Sequence, residues 1–192
     1  MITISRLILV SFLGAAFAGC AGPEPKLSGA SLARGVVFEF PSPETLGRRV
    51  ESAQLVTAEV AGQKILFEAR VSVTKEQFQL VGTDPMGRRA MSVDYVDGSY
   101  RAQKADWVPA LVDPNRVLAD FMLIFWPRAP LAKTLAASGV ELIDQGQTRI
   151  IRLNGHELVT IDYKKTGWRG HARLKNHSLG YAIDVRSAEL GR

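Results

Sequence analysis

Residues 65–73 read Ile-Leu-Phe-Glu-Ala-Arg-Val-Ser-Val, and their alternation decides the fold class. In an extended chain, successive side chains point to opposite sides, so every second residue lies on the same face. One face of this stretch carries Ile65, Phe67, Ala69, Val71 and Val73. The other face carries Leu66, Glu68, Arg70 and Ser72. An apolar face opposite a largely polar one predicts a strand with one side against the core.

The same two-residue period recurs along most of the chain. It predicts further strands at residues 36–40, 50–60, 77–82, 89–95, 100–104, 140–144, 149–153, 157–163, 171–176 and 181–185. The pairs Ala61-Gly62, Asp97-Gly98 and Asn154-Gly155 stand between neighbouring runs and favour the positive backbone angles of tight hairpins. The predicted fold class is therefore mainly β with short helices. Its core is a curved, antiparallel, half-open barrel of about ten or eleven strands, each paired with its neighbours in sequence.

One segment breaks the alternation and has the period of a helix. Asp113 can cap it, Pro114 suits its first position and Pro127 ends it. Its apolar face is formed by Val117, Leu118, Phe121, Met122 and Phe125, widened by Leu123, Ile124 and Trp126. A second helix is predicted at residues 130–137, with Gly139 as a left-handed cap.

We interpret the two helices as a lid or plug on the curved sheet. In this interpretation the residues that line or gate a cavity are Leu118, Phe121, Met122, Phe125 and Trp126. The alternative is that both helices simply complete the core.

Residues 1–19 are predicted to be a removable export signal. Arg6 precedes an apolar run that ends at Phe17 and is too short to span a membrane. The next residues, Ala18-Gly19-Cys20, complete a segment that resembles the lipobox of bacterial lipoproteins. The resemblance implies cleavage after Gly19, with diacylglycerol on the Cys20 thiol and an acyl chain such as palmitate on its amine. The alternative is that Cys20 is an ordinary small residue near a secretory cut.

Two further observations bear on Cys20. It is the only cysteine in the chain, so it has no disulfide partner within the chain. Ala21 follows it, whereas an Asp there would resemble the inner-membrane retention signal. The expected location is therefore the periplasmic face of the outer membrane, with the chain held by lipid on Cys20.

The rest of the chain divides into a tether and one domain. Residues 20–33 are rich in Pro, Gly and Ser and lack apolar periodicity, so we expect a lipidated tether. Residues 34–192 have the length of a single domain. The formal net charge of +5 is spread over scattered basic doublets, which indicates a solvated surface, with contact to an anionic membrane as the alternative. The expected location excludes nucleic acid as a partner.

Catalytic signatures are not evident in the sequence. It contains no glycine-rich phosphate loop, no Gly-x-Ser-x-Gly elbow and no paired-histidine metal motif. His171 and His177 would share one face of an extended segment, but Arg173 and Lys175 between them favour solvent over a metal. We expect a protein that is not an enzyme and needs no cofactor or metal.

Taken together, these features resemble LolB, the outer-membrane lipoprotein receptor family, in its signal, lipobox, long antiparallel meander and helix. Residues 78–89 are similar to the strand, Asn-Pro-Leu-Gly turn and strand of that family, and Met86 stands where the family has a protruding apolar residue. The resemblance implies that Met86 contacts acyl chains or the bilayer. The alternative is a flexible residue tucked under its hairpin.

A closer resemblance is to the DUF3261 group of exported lipoproteins, which is related to LolB in fold. It depends on Asp84-Pro85-Met86-Gly87, Trp107-Val108-Pro109 and the helix end at residues 123–127. Members tend to occur with aryl-polyene synthesis systems. The resemblance therefore implies a LolA/LolB-like fold and a cargo that is either a lipoprotein or an aryl-polyene-type lipid.

Two hypotheses follow. In the first, the protein is lipid-anchored at the outer membrane and binds or transfers an acyl chain or lipoprotein, with a periplasmic carrier protein as a candidate partner. In the second, it is a non-catalytic structural or assembly lipoprotein that scaffolds a system for envelope lipid synthesis or export.

Overall fold

The structure is a computed structural model and describes residues 29–96 and 98–191. Its strands are β1 (Gly29–Ala33), β2 (Val36–Glu39), β3 (Val50–Val60), β4 (Gln63–Val73), β5 (Gln77–Thr83), β6 (Arg89–Val96), β7 (Ser99–Lys104), β8 (Glu141–Gln145), β9 (Thr148–Leu153), β10 (His156–Lys165), β11 (His171–Asn176) and β12 (Tyr181–Glu189). Its α-helices are α1 (Pro114–Phe125) and α2 (Arg128–Ala136). The predicted export signal, the lipobox and Cys20 lie outside the described residues.

Ten of the strands form one antiparallel sheet in the order β7-β6-β5-β4-β3-β12-β11-β10-β9-β8. Each half is a meander of sequence neighbours, and the halves join where β3 pairs with β12. The strands β7 and β8 are the two edges, so the sheet curves without closing. The prediction of a curved, half-open antiparallel barrel is confirmed. The β3–β12 pairing, which joins the two ends of the meander, was not predicted.

The strand from which the fold was predicted has the expected faces. Phe67, Ala69, Val71 and Val73 are buried on one side of β4, while Leu66 is 45% exposed on the other. The β3–β4 hairpin turns at Ala61 and Gly62, which both have positive φ. A two-residue turn with positive φ at both residues matches the right-handed twist of the strands that it joins.

The first two strands correct the predicted boundary of the tether. Residues 29–33 were expected to belong to it, but Gly29–Ala33 forms β1 and pairs with β2 in a separate hairpin. Leu32 and Phe38 of this hairpin are almost fully buried. Their apolar side chains alternate with exposed ones, so burial favours a strand over a solvated spacer.

The helix α1 lies inside the curve of the sheet, where it contacts β1, β6, β7 and β11. Its residues from Leu118 to Ile124 are all buried, so it is enclosed on every side. Its C-terminal half joins an aromatic cluster in which Phe78 meets Phe121 edge-on at 5.1 Å and Phe125 stacks on Trp168 at 4.5 Å. The helix is therefore a plug that completes most of the core. Within the described residues, no helix is both long and apolar enough to cross a membrane.

Candidate functional site

An apolar pocket lies between α1 and the central strands β12, β3, β4 and β5. Strand pairing arranges its floor in rows that run across the sheet, from the row of Val60 and Tyr181 to the row of Gln54 and Ala69. The apolar lining consists of Val56, Ala58, Val60, Ile65, Phe67, Ala69, Leu80, Leu111, Val112, Val117, Phe121, Ile124, Ile183 and Val185. At about 3.4 Å per residue, these rows cover roughly 20 Å of β3.

The pocket has an open end and a closed end. Val60 is only partly buried, as are Ala58, Ile65 and Ile183 in the next row, whereas Tyr181, opposite Val60, is buried. At the opposite end, Gln54 is 4% exposed and Ala69 is 2% exposed. The mouth therefore lies at the end of the central strands where the β3–β4 hairpin turns, beside the N-terminus of α1.

The enclosed part of this pocket is small. The cavity volume is about 70 Å³. Since one water-sized group needs roughly 10–15 Å³ of such space, the cavity has room for about five groups of that size. As it stands, the cavity can hold the end of one narrow apolar chain.

A buried carboxylate stands at the mouth. Asp120 of α1 is 4% exposed, and the Tyr181 hydroxyl donates to its two oxygens at 2.8 and 2.9 Å. The Arg116 guanidinium lies over the Tyr181 ring, 5.7 Å from its centroid. Burial raises the pKa of the Asp120 carboxyl to about 7, against the opposing effects of the Tyr181 hydrogen bond and the Arg116 charge. Near neutral pH this side chain thus exchanges between a charged and a neutral form.

The closed end of the pocket carries an amide. The Gln54 Nε2 group donates to the Ser187 hydroxyl at 3.3 Å, and that hydroxyl donates to the Trp168 carbonyl oxygen at 2.9 Å. The Gln54 Oε1 atom is buried and has no hydrogen-bond partner among the described residues. The same holds for the hydroxyl oxygen of Ser52, the next residue on this face of β3.

The C-terminal end of α1 is held by the sheet. The Arg149 Nη1 group donates to the carbonyl oxygens of Leu123 at 2.8 Å and Trp126 at 3.0 Å, while its Nε group donates to Asp144 at 2.9 Å. The Tyr163 hydroxyl donates to the Ile124 carbonyl oxygen at 2.8 Å. These bonds satisfy carbonyl groups that a helix end leaves free.

The five residues predicted to line or gate a cavity have different positions. Phe121 lines the apolar pocket. Phe125 and Trp126 border a second, more polar cleft at the other end of α1, together with Arg149 and Tyr163. Leu118 and Met122 are fully buried and line neither.

Several polar residues at the pocket did not figure in the sequence prediction. Asp120 carried a signal, because it interrupts the apolar run from Leu118 to Ile124. Gln54 carried a weaker one, since it occupies an inward position of β3. Nothing in the sequence indicates that Tyr181, more than sixty residues away, donates to Asp120.

Met86 protrudes from the loop between β5 and β6. Its side chain is 83% exposed, so it is not tucked under its hairpin. The Asp84 carboxylate holds the loop by accepting from the backbone N–H groups of Met86 at 3.0 Å and Arg88 at 2.9 Å. Gly87 has a φ of 80°, a conformation that glycine adopts without strain. The turn thus presents an apolar side chain to solvent on an ordered backbone.

A second exposed apolar side chain adjoins this loop. Trp107 is 45% exposed, and the Arg88 guanidinium lies 4.5 Å from its ring centroid. Because antiparallel strands reverse at every turn, the β5–β6 loop, the end of β7 and the β3–β4 hairpin lie at the same end of the sheet. The register places the last residues of β5 and β7 level with Glu68 and Ala69 of β4, so Met86 and Trp107 follow strands that end about five residues short of the β3–β4 hairpin.

The histidines near β11 make ordinary surface contacts. His171 pairs with Asp184 at 2.8 Å, and the His177 ring contacts the Thr160 hydroxyl at 2.9 Å. Across residues 29–96 and 98–191, no group of three or more His, Cys, Asp or Glu side chains could hold a metal ion.

Fold and site define a class: a half-open β-barrel filled by a helix, with an apolar pocket that opens at one end. A family model described as a protein of unknown function, DUF3261, matches residues 51–189. The chain belongs to this family.

A crystal structure of a LolA superfamily protein from Nitrosomonas europaea is similar at 11% identity and a TM-score of 0.46, over 80% of this chain and 94% of that one. No curated protein matches the sequence.

Proposed function

We propose that the protein binds a lipid or an acylated protein, with the end of an acyl chain in the pocket beneath α1. The observation that carries this proposal is the apolar lining, which on β3 and β4 continues from Val60 and Ile65 to Val56 and Ala69. The polar residues Arg116, Asp120 and Tyr181 lie beside the mouth. Each methylene removed from water contributes about 0.8 kcal/mol, so four would contribute on the order of 3 kcal/mol. This energy suits a carrier that must also release its cargo.

The exposed apolar residues that follow β5 and β7 supply a place for contact with a membrane. Met86 and Trp107 present apolar surface at the same end of the sheet, next to Arg88 and Arg89. An apolar tip with adjacent cations suits the interface of an anionic membrane. We propose that this end faces the bilayer while a chain enters or leaves the pocket.

The anchor belongs to the same proposal. Lipid on Cys20 would hold the chain at the periplasmic face of the outer membrane. Since the domain begins at Gly29, the tether would be residues 20–28, shorter than the sequence predicted. A short tether keeps the domain close to the bilayer. A lipoprotein or an aryl-polyene-type lipid remains the proposed cargo, delivered by a periplasmic carrier protein.

The experiment that tests binding compares two tryptophan substitutions on one strand. Ala58 lines the mouth of the pocket, whereas Thr57 points to the opposite face of β3. Ala58→Trp should fill the mouth and abolish uptake of a fluorescent fatty acid by the protein purified from cells. Thr57→Trp, the matched control, should leave uptake unchanged. Lipid that copurifies with the wild-type protein should be found by mass spectrometry and be lost only in Ala58→Trp.

The scaffold hypothesis is the second candidate, and one observation favours it. The aromatic cluster fills most of the interior, and the enclosed space is about 70 Å³. A protein that merely holds a partner needs no larger cavity. If no lipid copurifies and the wild type takes up no fatty acid, lipid binding is wrong and the scaffold hypothesis stands.

A further inference from the structure

The inner end of the pocket carries polar side chains, although a purely apolar ligand would need no polar partner there. Gln54 and Ser52 occupy consecutive inward positions of β3, and both are at most 4% exposed. The other inward positions of β3 carry Val50, Val56, Ala58 and Val60. A strand core is normally filled by such apolar side chains, because a buried polar atom without a partner costs free energy. The two polar residues therefore need an explanation.

Two side-chain atoms at this end have no partner among the described residues, the Ser52 hydroxyl oxygen and the amide oxygen of Gln54, and the amide oxygen can only accept. Gln54 Oε1 has no hydrogen-bond partner among the described residues, while its Nε2 group donates to Ser187. The Ser187 hydroxyl donates to the Trp168 carbonyl oxygen, and in this arrangement it accepts from the amide. The amide oxygen is thus left for a donor that comes from elsewhere.

The position of Gln54 limits what that donor can be. Pairing with Ala69 and Ser187 places it in the last row of the pocket, about 20 Å along β3 from the mouth. A group that reaches it from the mouth must be carried at the leading end of an extended apolar molecule, because the intervening lining is apolar on β3 and β4. The cavity of about 70 Å³ has room only for the end of such a chain, so the rest of the chain between the mouth and Gln54 would enter by displacing side chains of the lining.

We propose that the pocket selects a chain-like apolar molecule that carries a hydroxyl group at its leading end, with Gln54 Oε1 as the acceptor. The inference rests on the proposed function and names the chemistry of the ligand. A plain acyl chain leaves the amide oxygen unpaired, whereas a terminal hydroxyl pairs with it. A site that binds a hydroxyl discriminates against an analogue without one, since the buried polar group is then unsatisfied.

The test uses two acids that differ only at the leading end, hexadecanoic acid and 16-hydroxyhexadecanoic acid, each displacing a fluorescent fatty acid. The full chain is reconstituted in nanodiscs of one phospholipid composition, as wild type and as Gln54→Met. Methionine keeps the volume of the side chain and removes its acceptor. Partition of the acids into lipid is the same for both proteins, so it cancels when their affinity ratios are compared. The shorter pair, dodecanoic acid and 12-hydroxydodecanoic acid, tests whether reach matters.

We expect the wild type to bind the hydroxy acid about tenfold more tightly than the plain acid, after correction for partition into lipid. In Gln54→Met this preference should vanish. An equal preference in the two proteins overturns the inference while lipid binding stands. Binding of neither acid by the wild type overturns the proposed function and the inference with it. If Gln54→Met does not fold, Gln54→Leu replaces it. The wild type alone still overturns the inference if hexadecanoic acid displaces the probe at least as well as its hydroxy analogue in lipid-corrected titrations.

Discussion

Replacing Asp120 by asparagine should change how the stability of the protein depends on pH. The carboxyl is 4% exposed, and burial raises its pKa from the ordinary value of 3.8 to about 7. The folded protein therefore retains a proton that the unfolded chain releases at a lower pH. Stability contributed by the protonated form is fully present below about pH 4, and it is lost as the pH rises to about 7.

The size of the effect follows from the difference between the two pKa values. Three pKa units correspond to about 4 kcal/mol, at roughly 1.4 kcal/mol per unit. The charged groups that face Asp120 are Arg116 and Asp113 on its own helix, and Tyr181 donates to it from β12. Asparagine accepts the same hydrogen bond and carries no charge. Asp120→Asn should thus be about as stable as wild type at pH 4 and more stable by up to about 4 kcal/mol at pH 8.

The assay is urea unfolding followed by tryptophan fluorescence, at a series of pH values from 4 to 8. The control is Asp106→Asn, which removes the same charge from an exposed position. Titration of the other carboxyl groups is common to all three proteins and cancels in the differences. A gap between Asp120→Asn and wild type that stays constant with pH would refute the reasoning, as would an equal change in Asp106→Asn.

Three further predictions concern the hydrogen bonds from Arg149 to α1, the exposed Met86 loop and the lipid anchor. Arg149→Met should lower the free energy of unfolding by about 2–3 kcal/mol, because two helix carbonyl groups lose a charged donor. The control is Arg152→Met, at an exposed ion pair on the same strand, which should lower the free energy of unfolding by less than about 1 kcal/mol in the same urea titration. Met86→Glu should weaken sedimentation with anionic vesicles several-fold if this loop enters the bilayer, while Leu66→Glu on the outer face of β4 should not. Cys20→Ser should abolish incorporation of radiolabelled palmitate in cells; labelling that persists would contradict lipidation at this residue.

The strands and their turns could be predicted because their causes are local. The alternation in residues 65–73 follows from the geometry of an extended chain, and Asn154-Gly155 adopts the positive φ angles that a hairpin of this type requires. The start of α1 was equally readable, since Asp113 accepts from the Asn115 N–H group at 3.0 Å. Element type and approximate bounds therefore depended on neighbours within a few residues.

The boundary at residue 29 was missed for a physical reason. A short segment with glycine and serine looks like a spacer when its partner is unknown. Its two apolar residues, Ala30 and Leu32, become a strand because the interior of the sheet buries them. Burial is a property of the assembled fold, and no window of sequence contains it.

By itself, the sequence determined the half-open antiparallel architecture and the position of the helix α1, while the exposure of Met86 was one of two alternatives that the structure decided. Only the tertiary structure decided the site. It joined β3 to β12, which set Tyr181 against Asp120 and placed Gln54 at the closed end of the pocket. The reason is that periodicity specifies which face of an element is buried, whereas the partner it meets there depends on pairing between residues far apart in the chain.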